Sequence, residues 1–110
     1  RSESSSLLKR SERVVENVVK GKSLATIMKE LQLDTVDILK FDIEGGEWAL
    51  LSSIENYNKL KTIVGEVHLD LINVDRGTFM NLLSNYSIST NELSETRFIF
   101  YANRTNQRDE

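Results

Sequence analysis

Residues 36–51 read VDILKFDIEGGEWALL, and the fold turns on how this stretch is divided. Val36 to Ile43 are almost continuously apolar, the pattern of a parallel strand covered on both faces. Gly45 and Gly46 end the run. After them, Trp48 with Leu51 and Leu50 with Ile54 fall at helical spacings. Lys40, Asp42, Glu44 and Glu47 all sit around this strand-to-helix junction, so ionisable groups gather where the chain changes periodicity.

The flanking segments extend the alternation. Upstream, the β-branched run from Arg13 to Gly21 reads as a short strand. Ser23 is placed to cap a helix whose Leu24, Ile27, Met28 and Leu31 form one face. Downstream, Lys61 to Leu69 is a second buried strand. Asp75 can cap a third helix carrying Phe79, Leu82, Leu83 and Tyr86. The tail from Tyr86 to Arg104 reads as two strands about a polar turn near Asn91 to Glu95. Strands alternating with helices predict parallel pairing through right-handed crossovers. The expected fold is an α/β three-layer sheet with a C-terminal antiparallel hairpin.

The chain has 110 residues, enough for one domain spanning 1–110. Its polar ends, 1–10 and 104–110, are expected to be mobile. A net charge of −3, with Lys and Arg scattered, argues against nucleic acid as a partner. The absence of cysteine excludes disulfides, cysteine zinc sites and a cysteine nucleophile. No apolar run reaches the roughly 18 residues of a membrane span, and no signal-peptide pattern is visible. A cytoplasmic location is therefore expected.

Ligands of open α/β sheets bind beyond the carboxyl ends of the strands. Asp42, Glu44 and Glu47 lie at one such end; His68 and Asp70 lie at the next. Side chains two apart share a face, so Lys40 and Asp42 pair off against Glu66 and His68. One register would set both Lys40–Glu66 and Asp42–His68. Each residue also has a plain structural reading. Lys40–Glu66 serves as an internal ion pair, His68 as a hydrogen-bonded strand residue and Trp48 as core. The glycine pair makes a tight turn, and Glu44 and Glu47 complement a helix dipole.

LKFDIEGGE, Leu39 to Glu47, resembles the signature of FkbM-type S-adenosylmethionine-dependent methyltransferases. The match runs through Leu39, Lys40, Asp42, Glu44, Gly45 and Glu47, with Gly46 in a small-residue place. SLATIM, SSSLLKR and IVGEVH resemble neighbouring family segments, so the likeness covers most of Ser4 to Leu69. It implies part of a Rossmann-like class I methyltransferase sheet, the side holding strands 4-5-7-6. S-adenosyl-L-methionine is the implied cofactor, and a small hydroxylated molecule or sugar the implied acceptor. Asp42, Glu44 and His68 are the implied catalytic residues. Asp42, Ile43 and Glu44 would touch the cofactor, and Glu47 and His68 the acceptor; no metal ligand is assigned. The family's glycine-rich cofactor turn has no counterpart, since the five glycines include no G-x-G. The chain is therefore expected to be the C-terminal part of such a domain, and inactive alone.

Two other readings stay open. A half-sheet has a bare edge that could pair with a second copy, making a homo-oligomer or interaction module. Asp42, Glu44, Glu66 and His68 could instead be the ligands of a metal-dependent hydrolase.

Overall fold

The computed structural model describes residues 13–16, 18 and 20–104. A single mixed sheet of five strands organises them, in the order β1-β2-β3-β5-β4. The strands are β1 (Val14–Val15), β2 (Val36–Phe41), β3 (Leu60–His68), β4 (Tyr86–Glu92) and β5 (Arg97–Arg104). β1, β2 and β3 are parallel; β5 runs antiparallel between β3 and β4. Helices α1 (Leu24–Leu31), α2 (Glu47–Ser52), α3 (Leu69–Ile72) and α4 (Arg76–Asn81) connect them, with a 3-10 turn at Tyr57–Lys59.

Local chemistry explains the boundaries. The Ser23 hydroxyl accepts the Thr26 N–H at 3.2 Å and starts α1; Asp75 accepts the Thr78 N–H at 2.8 Å and starts α4. The helix expected through Tyr86 stops at Asn81. Leu83 still reaches the core from the following turn, while Tyr86 opens β4 and donates its hydroxyl to the Leu60 carbonyl at 2.7 Å. Burial pushes the Tyr86 phenol up to about 12. Of the strand expected over Arg13–Gly21, the described residues form the pair Val14–Val15. That pair lies against Ile38 and Leu39, so the β2 edge is partly covered rather than bare. Among the described residues no helix is long and apolar enough to cross a membrane.

The three-layer expectation needs correcting. Parallel strands advancing in one direction through right-handed crossovers put their helices on one face. The aromatic contacts agree. Phe79 of α4 meets Trp48 of α2 at 6.4 Å and Phe100 of β5 at 6.1 Å, and Phe100 meets Phe41 of β2 at 6.0 Å. Leu39, Phe41, Ile63, Val67, Phe98, Phe100 and Ala102 are the buried strand residues of this face. Trp48, half-buried, packs against this core, in line with its plain reading. On the other face Ile38, Val64 and Ile99 are half-buried and Tyr101 is exposed. Among the described residues, no helix covers them.

The expected mobility of 1–10 and 105–110 falls outside the described residues, as does the SSSLLKR segment. Arg104 does not share it: it ends β5, and its guanidinium donates to the Tyr57 carbonyl and to Asn58.

Candidate functional site

The carboxyl ends of β2 and β3 meet at one corner of the open face. Asp42 follows β2 with its side chain 65% exposed. The chain then turns tightly, Gly46 N–H donating to the Ile43 carbonyl at 2.6 Å. Gly45 sits at φ +86°, a conformation that strains any residue with a Cβ. Ile43 is buried beneath the turn and Glu44 is exposed on it. Glu47 is the first residue of α2.

Glu47 and His68 form a buried pair. Glu47 is fully buried and His68 is 1% exposed. Glu47 Oε2 accepts the backbone N–H of His68 at 2.5 Å and lies 2.7 Å from its Nδ1. Glu47 Oε1 is buried and, among the described residues, has no hydrogen-bond partner. An ionised carboxylate only accepts, so with Glu47 ionised Nδ1 is the donor of this pair and Nε2 is the ring atom left for other partners. That atom points to the open face, 3.2 Å from Glu66 Oε2 and 4.0 Å from Asp42 Oδ1. One ligating atom from each of Asp42, Glu66 and His68 falls within 4.8 Å of the others.

A groove of about 630 Å³ leads to this corner, lined in part by Ile38, Lys40, Val64, Glu66, Ile99 and Tyr101. Beside it, Arg97 grips Asp70 at 2.9 and 3.2 Å. The hydrogen bond from Arg97 holds the Asp70 carboxyl below its usual range, and Asp70 raises Arg97 in turn. The charges of Glu44 and Glu66 also reach Arg97.

Sequence reasoning locates the corner but misplaces the register. Lys40 stands opposite Val64 and Phe41 opposite Gly65, two residues from the expected alignment. Lys40 and Glu66 do share the open face. Yet Lys40 is exposed and forms no ion pair among the described residues, so the expected Lys40–Glu66 bridge is absent. Asp42 comes level with Glu66 and reaches His68 only diagonally. Glu47, expected at the acceptor, is fully buried and contacts His68. The missed signal was Gly65. A Cβ there would lie 2.3 Å from the Phe41 ring, so this strand glycine marks where Phe41 must sit. Of the four residues considered as metal ligands, three converge and Glu44 stays apart on its turn.

A family model described as the methyltransferase FkbM domain matches residues 1–99. No curated protein and no solved structure matches the chain.

Proposed function

The chain belongs to the methyltransferase FkbM domain family, and from that premise we propose that it forms the acceptor side of an S-adenosylmethionine-dependent O-methyltransferase. The acceptor is a hydroxyl of a small molecule or sugar. The observation that carries this reading is the corner where Asp42, Glu66 and His68 converge at the mouth of an open groove. The strand order beyond β1, parallel β2 and β3 followed by antiparallel β5 and then β4, is compatible with the 4-5-7-6 side of a class I methyltransferase sheet.

The turn after β2 suits the cationic end of the cofactor. Asp42 and Glu44 present two exposed carboxylates, and the turn at Gly45 and Gly46 keeps the backbone narrow between them. When bound, the cofactor supplies an electrophilic methyl group. This chain's residues supply position and a proton acceptor. Methyl transfer is an in-line displacement: the acceptor oxygen–carbon bond forms as the carbon–sulfur bond breaks, and the hydroxyl proton leaves to a carboxylate. Asp42, the most exposed group of the corner, is that acceptor. His68, locked by Glu47, aims Nε2 at the same place and orients the hydroxyl. Glu44, exposed on the turn, would help hold the sulfonium end of the cofactor.

The test is turnover by the full reading frame with a panel of hydroxylated acceptors. Asp42→Asn is expected to lower kcat by on the order of a hundredfold while the protein stays folded, because its side chain is exposed. A change below threefold would remove Asp42 from the reaction. The chain by itself, having no G-x-G turn, is expected to bind S-adenosylmethionine more weakly than roughly 10 μM. Tighter binding in calorimetry would place the cofactor wholly within these residues.

A further inference from the structure

We propose that Asp42, Glu66 and His68 bind a divalent first-row cation, with Glu47 orienting the imidazole ligand. The three ligand atoms are all acceptors. Nδ1 of His68 is committed as donor to Glu47, so Nε2 offers a lone pair; Glu66 Oε2 lies 3.2 Å from it and Asp42 Oδ1 4.0 Å. Among the described residues nothing donates into the space between them. Arg97 is held by Asp70, and Lys40 lines the groove without an ion pair. A cation supplies the missing positive charge.

Glu47 is the second, independent sign. Histidines that bind metals almost always give their other N–H to a carboxylate or carbonyl, which fixes the ring and the tautomer. Glu47 does this from full burial, and among the described residues its Oε1 has no partner. An unsatisfied buried oxygen is expensive to keep. A strand histidine needing only one hydrogen bond would not require so costly a partner.

The dimensions fit. Bonds of about 2.0–2.2 Å place neighbouring ligand atoms roughly 3.0–3.5 Å apart. The Glu66–His68 separation already lies in that range, and the exposed Asp42 side chain closes the longer gap by a small rotation. Three protein ligands leave coordination positions open toward the groove. One imidazole and two carboxylates suit Mn²⁺ or Zn²⁺; Ca²⁺ would need 6–8 oxygens. The site shares Asp42 and His68 with the methyl-transfer reading but does not rest on it. With an ion in place, the two residues would act as its ligands and the ion would hold the acceptor oxygen.

Titration of the full chain with Mn²⁺, followed by loss of the free-ion electron paramagnetic resonance signal, tests the site without cofactor or acceptor. One ion per chain is expected, with Kd below about 1 mM. Glu66→Gln and Asp42→Asn, whose side chains are partly or largely exposed, should each weaken binding at least about tenfold without loss of fold. Glu47→Gln should weaken it about 10–100-fold, although it is not a ligand. Glu55→Gln, an exposed acid elsewhere, should leave it unchanged. Absence of binding at 1 mM of both Mn²⁺ and Zn²⁺ overturns the proposal. So does binding indifferent to Glu66→Gln and Asp42→Asn, and so does nitrogen NMR showing both His68 nitrogens protonated at neutral pH with saturating Zn²⁺.

Discussion

The two faces of the sheet are built from the same strands, one residue out of step, and they do different work. On the helix side Phe98, Phe100, Ile63 and Val67 are wholly buried, and each such side chain contributes about 1.5–3 kcal/mol. On the open side their sequence neighbours Ile99, Val64 and Glu66 are half-buried and Tyr101 is 45% exposed. The covered face holds the fold. The open face leaves room at the strand ends for a cluster of acids around one histidine, which a fully packed face could not tolerate. Stability and chemistry are separated by the two-residue period of β-structure.

The largest effect should come from adjacent residues of β5. Phe100→Ala opens a cavity beside two aromatic neighbours, Phe41 and Phe79, and should cost about 3–5 kcal/mol. Tyr101→Ala, one residue on and facing the groove, should change stability by less than about 1 kcal/mol. Denaturant melts of both variants measure this. Similar losses would mean that the open face is covered as firmly as the other.

Glycines sharpen the contrast at smaller scale. Gly65→Ala drives a methyl to within 2.3 Å of the Phe41 ring, itself packed edge-on against Phe100. A loss of about 1–3 kcal/mol is expected. Gly77 lies in α4 with nothing within 4 Å of its would-be Cβ. Gly77→Ala should stabilise by about 0.5–1 kcal/mol through helix propensity and the unfolded chain. The same substitution then takes opposite signs, and a shared sign in thermal melts would show that close approach at Gly65 does not set the register.

That register also marks the limit of what the sequence shows. The apolar runs and caps place β2, β3, α1 and the hairpin to within a residue or two, because periodicity and Ser23 or Asp75 are local signals. The corner is legible because polar residues at strand ends break an apolar pattern. Pairing Lys40 with Glu66 fails because charge complementarity is weaker than packing: Phe41 needs the space that only Gly65 leaves. Burial of Glu47 is invisible locally, since an acid at a helix start is ordinary there. The layer count misleads for another reason. Apolar β2 suggests cover on both faces, yet Ile38 and Lys40 line the groove.

The smallest effect lies on the helix side, at an ion pair outside the corner. Arg76 Nη1 and Nη2 reach Glu92 Oε1 and Oε2 at 2.8 and 2.6 Å, and the guanidinium lies 3.9 Å over the Phe98 ring. The hydrogen bonds from Arg76 draw the Glu92 carboxyl from 4.5 down to about 2. A depressed carboxylate stabilises the fold fully above its unfolded value and loses that contribution as pH falls through its folded one. The window is therefore between 4.5 and about 2. Glu92→Gln should lower Tm slightly near neutral pH, and the gap to the parent should close across that window. Asp75, also held below its ordinary range, titrates in both proteins and cancels in the difference. Salt should shrink the gap, because both side chains are accessible to solvent. A Tm difference that persists unchanged at pH 2 would show that Glu92 acts through something other than its charge, and no difference at neutral pH would show that Arg76 acts through Phe98 alone.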